Sequence, residues 1–271
     1  SIVIRERPNI LFSKGGFVTV PLVCAAWLFR IPVISHESDV TPGLANRLCY
    51  PFVRKLCVNF PETKNYLSGD KAVVTGTPVR DSLLEGKSER GCELLGFSGA
   101  RPIVLFFGGS LGAWSINKIV RQNIEQLLNR YQVVHVVGPG NLDRSLDQSG
   151  YVQREFLHED FGDILAAANV VVARAGANSI YELLITRKPH ILVPLSFKAS
   201  RGDQLVNAQT FAEKGYSRVL IESAVNNVNL IELIDDVYRN RKSIVQQIER
   251  FQIIDSVGVI AGLIKAIVKE R

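Results

Sequence analysis

Ten short runs of apolar, largely β-branched residues recur along this chain, and stretches with helical spacing separate most of them. The runs fall at residues 9–12, 32–35, 55–59, 72–75, 102–107, 132–137, 151–156, 169–173, 190–193 and 217–220. Helical spacing appears at 21–29, 115–130, 163–168, 179–186 and 204–214, and in two or more segments after Asn227. A strand that is apolar at successive positions is buried on both faces, as when helices cover both sides of a parallel sheet. The alternation predicts an α/β fold of doubly wound, Rossmann-like parallel sheets.

A polar stretch at 80–101, with Ser88, Glu89, Arg90 and Gly91, interrupts the series and places the domain joint. From Pro102 onward the βαβ series is complete, whereas only about four strands precede it, half of such a domain. The expected organisation is a partial N-terminal Rossmann-like domain over 1–85 and a complete one over 86–250. A last helix at 251–271 follows no strand and is expected to pack back on the first domain.

Composition narrows the class. With 46% hydrophobic and 21% charged residues in a chain of 271, there is enough apolar mass for full cores, and disorder is excluded. No internal repeat or biased tract occurs. The apolar segment 17–29 contains Thr19 and Pro21 and is shorter than the ~20 residues of a membrane-spanning helix, so it reads as a core or interfacial helix. No signal peptide is visible. The chain begins with Ser and has 0 Met, so it reads as a piece of a longer protein or a recoded one. Cys24, Cys49, Cys57 and Cys92 form no C-x-x-C pair and read as buried free thiols in a reducing, cytoplasmic compartment. Of the net +6, residues 1–80 carry +5, from ten Lys and Arg against five Asp and Glu. Solubility accounts for such a bias, and so does an anionic surface of phosphates or lipid head groups. Nucleic acid is not expected, since no basic stripe is interleaved with aromatics.

Six segments at strand ends carry candidate chemistry. Gly108, Gly109, Ser110, Leu111, Gly112 and Ala113 follow a buried run and open a helix; glycines let backbone approach a ligand, and free N–H groups at a helix start attract phosphate. An ordinary tight βα turn has the same pattern. Arg174, Ala175, Gly176 and Ala177 lead to Glu182, a carboxylate placed to hold ribose hydroxyls. Ser179 and Glu182 also fit the S-x-x-E capping box. Asp203, Gln204 and Asn207 suit either sugar hydroxyls or simple N-capping by Asp203. Arg80, after Thr75-Gly76-Thr77-Pro78, can neutralise a diphosphate or stand solvated. His36, Glu37 and Asp39 cluster past a strand end, where His36 or Glu37 is a candidate general base; alternatively His36 orients the loop and Glu37 caps a helix. Lys14, Gly15, Gly16 and Phe17 form a Gly-containing turn suited to an anionic group. No D-x-D pair, H-E-x-x-H, Cys/His metal spacing, nucleophile elbow or P-loop occurs, so a bound phosphate is expected to be neutralised by helix starts and Arg80, with neither metal nor cofactor. His135, His158 and His190 sit among apolar neighbours and read as structural.

In this order, these motifs resemble the MurG family of bacterial glycosyltransferases (glycosyltransferase family 28). They include Ser13-Lys14-Gly15-Gly16-Phe17, His36-Glu37, Pro42-Gly43-Leu44-Ala45-Asn46, Thr77-Pro78-Val79-Arg80, Gly108 to Ala113, Arg174 to Ala177 with Glu182, and Gln204 with Asn207-Ala208. The resemblance runs from about Pro8 to Gly215. It implies a GT-B fold, two Rossmann-like domains facing across a cleft, and inverting, metal-independent transfer of N-acetylglucosamine from UDP-GlcNAc to undecaprenyl-pyrophosphoryl-MurNAc-pentapeptide at the cytoplasmic face of the cell membrane. Carried over residue by residue, Ser110 and Arg80 contact the diphosphate, with Gly109 in the same loop. Glu182 holds the ribose, and Phe156 and Leu157 flank the uracil. Ala177, Asn178, Ser179, Ile180 and Tyr181, with Gln204 and Asn207, surround the phosphate–sugar portion. Gly15, Gly16 and Phe17 lie on the acceptor side, as does Asp39, which stands where many members have Asn. The family's opening G-G-T-G-G-H loop has no counterpart, so the N-terminal domain is expected to lack its first part. Other readings share the donor motifs: a UDP-sugar:diacylglycerol transferase, a UDP-GlcNAc isomerase of the same fold, or a non-catalytic donor-binding fragment.

Overall fold

The structure, a computed structural model, describes residues 2–109, 111–196, 200–221 and 227–270. The chain divides into two compact units, Ser1–Pro78 with Ile253–Arg271, and Val79–Gln252.

The first unit contains α1 (Ile2–Glu6), β1 (Leu11–Ser13), α2 (Thr19–Leu28), β2 (Val33–Glu37), α3 (Leu44–Cys49), β3 (Lys55–Val58) and β4 (Ala72–Val74). Its four strands are parallel in the order β1-β2-β3-β4, with Ser35 of β2 opposite Ser13 and Leu56. The pleat sends alternate residues to opposite faces. Val33 packs on one side with Val23 and Ala26 of α2, and Ile34 packs on the other. That second face is covered from the end of the chain, where Ile260 and Ile267 meet Ile34 and Cys57.

The second unit adds α4 (Asp81–Leu84), α5 (Ser88–Leu95), β5 (Ile103–Phe107), α6 (Trp114–Gln122), α7 (Ile124–Leu128), β6 (Gln132–Val136), β7 (Tyr151–Arg154), α8 (Phe161–Ala167), β8 (Val170–Arg174), α9 (Ala177–Ile185), β9 (His190–Val193), α10 (Asp203–Glu213), β10 (Ser217–Val219), α11 (Asn227–Arg239) and α12 (Arg241–Ile248). The final helix, α13 (Ser256–Lys269), belongs to the first unit. The six strands pair in parallel as β10-β9-β8-β5-β6-β7. Read from the other edge, their order within the unit is 3-2-1-4-5-6, the doubly wound arrangement, with a topological switch point between β5 and β8. Val104, Leu105, Val133, Val134, Val170, Val171, Ile191 and Leu192 are fully buried, as continuous apolar strands require.

All ten expected strand segments are present within a residue or two of their expected bounds. Three local expectations are corrected. The polar stretch 80–101 is not merely a joint, because it contains α4 and α5, which pack on α8. Two of its glycines serve close approach: a Cβ on Gly86 would lie 2.1 Å from the carbonyl oxygen of Gly162, and one on Gly91 2.2 Å from that of Asp163. The single helix expected over 115–130 is two, because Asn123 leaves the helical region (ψ 9°) and its amide donates to the carbonyl of Ile119 at 2.8 Å. Finally, Cys24 is exposed and Cys92 half-buried, although all four thiols are free.

Candidate functional site

In the second unit, the loops after β5 and β8 emerge at the switch point, and β9 lies next to β8. Parallel sheets bind ligands at such C-terminal strand ends. The β5–α6 loop is shaped by backbone contact. Gly112 adopts φ +79°, its N–H donates to the carbonyl of Gly109 at 2.8 Å, and a Cβ on it would lie 2.2 Å from the carbonyl oxygen of Val137. Ser110, expected at the diphosphate, lies outside the described residues. Helices α6, α9 and α10 start after Ala113, Gly176 and Gly202, and none of these cap residues makes a side-chain cap. Three helix starts thus lie at neighbouring strand ends with no side-chain cap from their N-cap residues, and helix starts favour an anion.

The capping-box reading of Ser179 and Glu182 is overturned. Gly176 is the N-cap, which places Ser179 inside α9 and Glu182 a turn further on. Glu182 lines a narrow crevice together with Arg80, Ser82, His158 and Phe161. Burial pushes its carboxyl above the usual range, and the Arg80 guanidinium pulls the other way. His158, read from sequence as structural, is exposed in this crevice and stacks on Phe156, with ring centroids 5.9 Å apart. Its placement one residue beyond the expected uracil-flanking pair, Phe156 and Leu157, was the available signal.

The stretch 177–182 does not present every side chain to a ligand. Ile180 and Tyr181 are core residues at 0% and 2% exposure, and the Tyr181 ring meets Phe251 edge-on at 5.7 Å. Their side chains therefore face the core and not a ligand, against the expectation for the phosphate–sugar portion. Ala177 is buried at the helix start, Asn178 is exposed and Ser179 half-buried. Asn207 is fully buried and donates to the carbonyl of Ala175 at 3.2 Å, so it holds the β8–α9 loop from beneath. The Gln204 side chain accepts from Leu195 N–H at 3.2 Å, tying α10 to the segment after β9. Asp203 is the first residue of α10, after Gly202, and its carboxylate accepts from Gln204 N–H at 3.1 Å, so it is not the N-cap.

In the first unit, Lys14, His36, Glu37 and Asn46 converge at the C-terminal ends of β1 and β2; His36 and Glu37, expected past the strand, are the last two residues of β2. Lys14 donates to Nδ1 of His36 at 2.9 Å. An ammonium only donates and a carbonyl only accepts, so Nε2 carries the hydrogen and donates to Gly76 at 3.1 Å. Burial, aided by the Lys14 charge, pushes the His36 pKa down to about 4. Burial also lowers Lys14, which Glu37 partly offsets. The Glu37 carboxylate accepts from Asp39 N–H (3.1 Å), Gly43 N–H (2.8 Å) and Asn46 Nδ2 (2.9 Å). Glu37 therefore orders the 37–46 loop and does not cap a helix, since α3 starts after Gly43 with no side-chain cap. Gly15 (φ +82°) and Gly16 (φ +91°) need left-handed backbone, and a Cβ on Gly15 would press on Asn46 at 3.0 Å. Phe17 and Val18 are exposed, as are Trp27, Leu28 and Phe29. The 17–29 segment thus buries only a stripe, with Val23 and Ala26 at its centre. Lys14 and Asn46 were not singled out from the sequence as chemical groups, because their partners are distant in the chain.

Two family models match: the glycosyltransferase family 28 C-terminal domain over residues 103–256 and its N-terminal domain over residues 1–58. A protein of Clostridium botulinum (strain Kyoto / Type A2) is 48% identical over 269 residues, covering 99% of this chain and 76% of that relative. It is named UDP-N-acetylglucosamine--N-acetylmuramyl-(pentapeptide) pyrophosphoryl-undecaprenol N-acetylglucosamine transferase. A Clostridium tetani protein of the same name is 46% identical over 265 residues, covering 97% of this chain and 74% of its own. Among solved structures, Acinetobacter baumannii MurG superposes with a TM-score of 0.78 at 22% identity, covering 98% of this chain and 75% of that one. A UDP-GlcNAc 2-epimerase from Neisseria meningitidis superposes at 0.69 with 14% identity, covering 97% and 78%. At these identities the two superpositions establish the two-domain GT-B fold alone.

Proposed function

The chain belongs to glycosyltransferase family 28, and from that membership we propose that it transfers N-acetylglucosamine from UDP-GlcNAc to lipid-linked MurNAc-pentapeptide, the lipid I to lipid II step of peptidoglycan synthesis. The observation that carries this reading is 48% identity over 99% of the chain to a relative named for that reaction. The acceptor hydroxyl attacks the anomeric carbon from the face opposite UDP, the bond to the β-phosphate oxygen breaks, and the configuration inverts. Negative charge grows on the departing diphosphate. The N–H groups at the start of α6, which has no N-cap side chain, and the Arg80 guanidinium stabilise it. Glu182, in the same crevice as Arg80, holds the ribose hydroxyls.

The acceptor hydroxyl must also lose its proton. His36 is neutral at pH 7, with its pKa near 4, so it accepts that proton only after Lys14 releases Nδ1. Glu37 supports the loop carrying Asp39, beside the Gly15–Gly16 turn that faces the acceptor in this reading. No helix among the described residues is long and apolar enough to cross a membrane. Peripheral attachment to an anionic membrane face is supported by the net +5 of residues 1–80 and by exposed Trp27, Leu28 and Phe29.

The test is incubation of the protein with UDP-GlcNAc and a lipid I analogue, reading UDP release and the disaccharide product. Release of UDP only when the acceptor is present is the expected result. Conversion of the donor sugar without an acceptor, followed by NMR, would instead indicate an isomerase. Sedimentation with vesicles should show a preference for acidic lipid, and equal binding to neutral vesicles would remove the membrane part of the reading.

A further inference from the structure

Arg174 ends β8, next to the three uncapped helix starts, and its guanidinium is used in two directions at once. Nη1 donates to the carbonyl of Val193 at 3.1 Å, at the end of β9. Nη2 donates to Ser115 Oγ at 2.6 Å, on the first turn of α6. The residue itself begins the β8–α9 loop, whose next carbonyl, that of Ala175, is held by Asn207 of α10. One planar fork therefore joins the segments leading to α6, α9 and α10. We propose that Arg174 is a positioning residue for donor binding, fixing the starts of α6, α9 and α10 relative to one another through geometry more than through charge.

The physical case rests on preorganisation. Amides that stabilise a diphosphate contribute most when they are already aimed before the ligand arrives, because no binding energy is then spent on ordering loops. The β5–α6 loop contains Gly108, Gly109 and Gly112, and the β8–α9 loop contains Gly176, so neither is stiff by composition. A guanidinium has fixed angles between its donors and can bridge two acceptors as a rigid unit. A lysine at the same place keeps the charge but is a point donor on a flexible stem.

This separates two explanations experimentally. The inference rests on the donor-site reading above, so calorimetric titration of the unmodified protein with UDP and UDP-GlcNAc comes first. Absence of binding there overturns the donor-site reading itself. Given binding, Arg174→Lys and Ser115→Ala should each weaken UDP by about tenfold or more, in line with the loss of one charge-assisted hydrogen bond. The double variant should be no weaker than Arg174→Lys alone, because both changes break the same link. KM for UDP-GlcNAc should rise while KM for the acceptor and the thermal midpoint stay put. If Arg174→Lys binds UDP like the unmodified protein, charge alone suffices and the positioning role is wrong. Additive losses in the double variant, or Ser115→Ala with unchanged UDP affinity, would also overturn it. Ser115→Ala removes a single hydroxyl from the first turn of α6, so it decides the matter even if Arg174→Lys does not fold.

Discussion

Lys14 donates its ammonium hydrogen to Nδ1 of His36 over 2.9 Å, which places a cation against an imidazole that is itself fully buried. Two causes then hold the imidazole neutral: lack of solvent and the neighbouring charge. The Lys14→Met variant removes only the second. The His36 pKa should rise from about 4 towards the ordinary 6.5, as read by NMR titration of the ring protons. If His36 takes the acceptor proton, the acid limb of the turnover profile should move up in pH with it. An unchanged His36 pKa would assign the whole depression to burial.

Glu182 sits in the Arg80 crevice with its carboxyl pushed up by burial. Glu182→Gln keeps the size but exchanges an ionic acceptor for an amide. Affinity for UDP-GlcNAc, measured by calorimetry, should fall about tenfold or more, consistent with the loss of about 1.5–3 kcal/mol from charged hydrogen bonds to ribose hydroxyls. The far-ultraviolet spectrum should be unchanged. Equal affinity in the variant would remove Glu182 from ribose recognition.

Much of this architecture is legible in the sequence because two-sided burial leaves continuous apolar runs, and Val170-Val171-Val172 or Ile103 to Phe107 admit little else. The helix α5 was not legible as such, because its signal is glycine at 91 serving close approach to α8, which composition cannot distinguish from a linker. At the site, Glu182 and Arg80 were legible as residue types at strand ends. Their shared crevice depends on the start of α9, which S-x-x-E spacing at Ser179 misplaces by three residues. Asn207 and Tyr181 fell within motifs and so looked like ligand contacts, yet helical rotation turns both into the protein.

Gly109 and Gly112 differ in what a methyl group meets. At Gly112 it would lie 2.2 Å from the carbonyl oxygen of Val137 on a backbone with φ +79°, whereas at Gly109 nothing among the described residues lies within 4 Å. Gly112→Ala should lower stability by about 2 kcal/mol or more, seen as a reduced thermal midpoint. Gly109→Ala should leave the midpoint where it is and weaken UDP binding, because the added methyl projects into open space beside the loop. Equal midpoints for the two variants would contradict this account of the loop.

His135 and His190, both fully buried in the second unit, give its stability a defined pH dependence. His135 accepts from the Tyr151 hydroxyl (2.8 Å) and donates to Asn117 Oδ1 (2.9 Å), while His190 donates to the Lys188 carbonyl (2.7 Å) and accepts from Ser217 (2.6 Å). Burial pushes their pKa values down to about 3 and about 4. In the unfolded chain both return to about 6.5. Between those limits the unfolded state binds more protons, so stability rises with pH and is lost as pH falls below about 6.5. Each histidine contributes a slope approaching 1.4 kcal/mol per pH unit once the unfolded form is fully protonated. Urea denaturation followed from pH 7.5 to 5.5 should show the midpoint falling steadily. His190→Gln should flatten that fall by about half in the transition assigned to this unit. A midpoint that stays level or climbs towards pH 5.5 would mean that the two imidazoles are not held neutral in the fold.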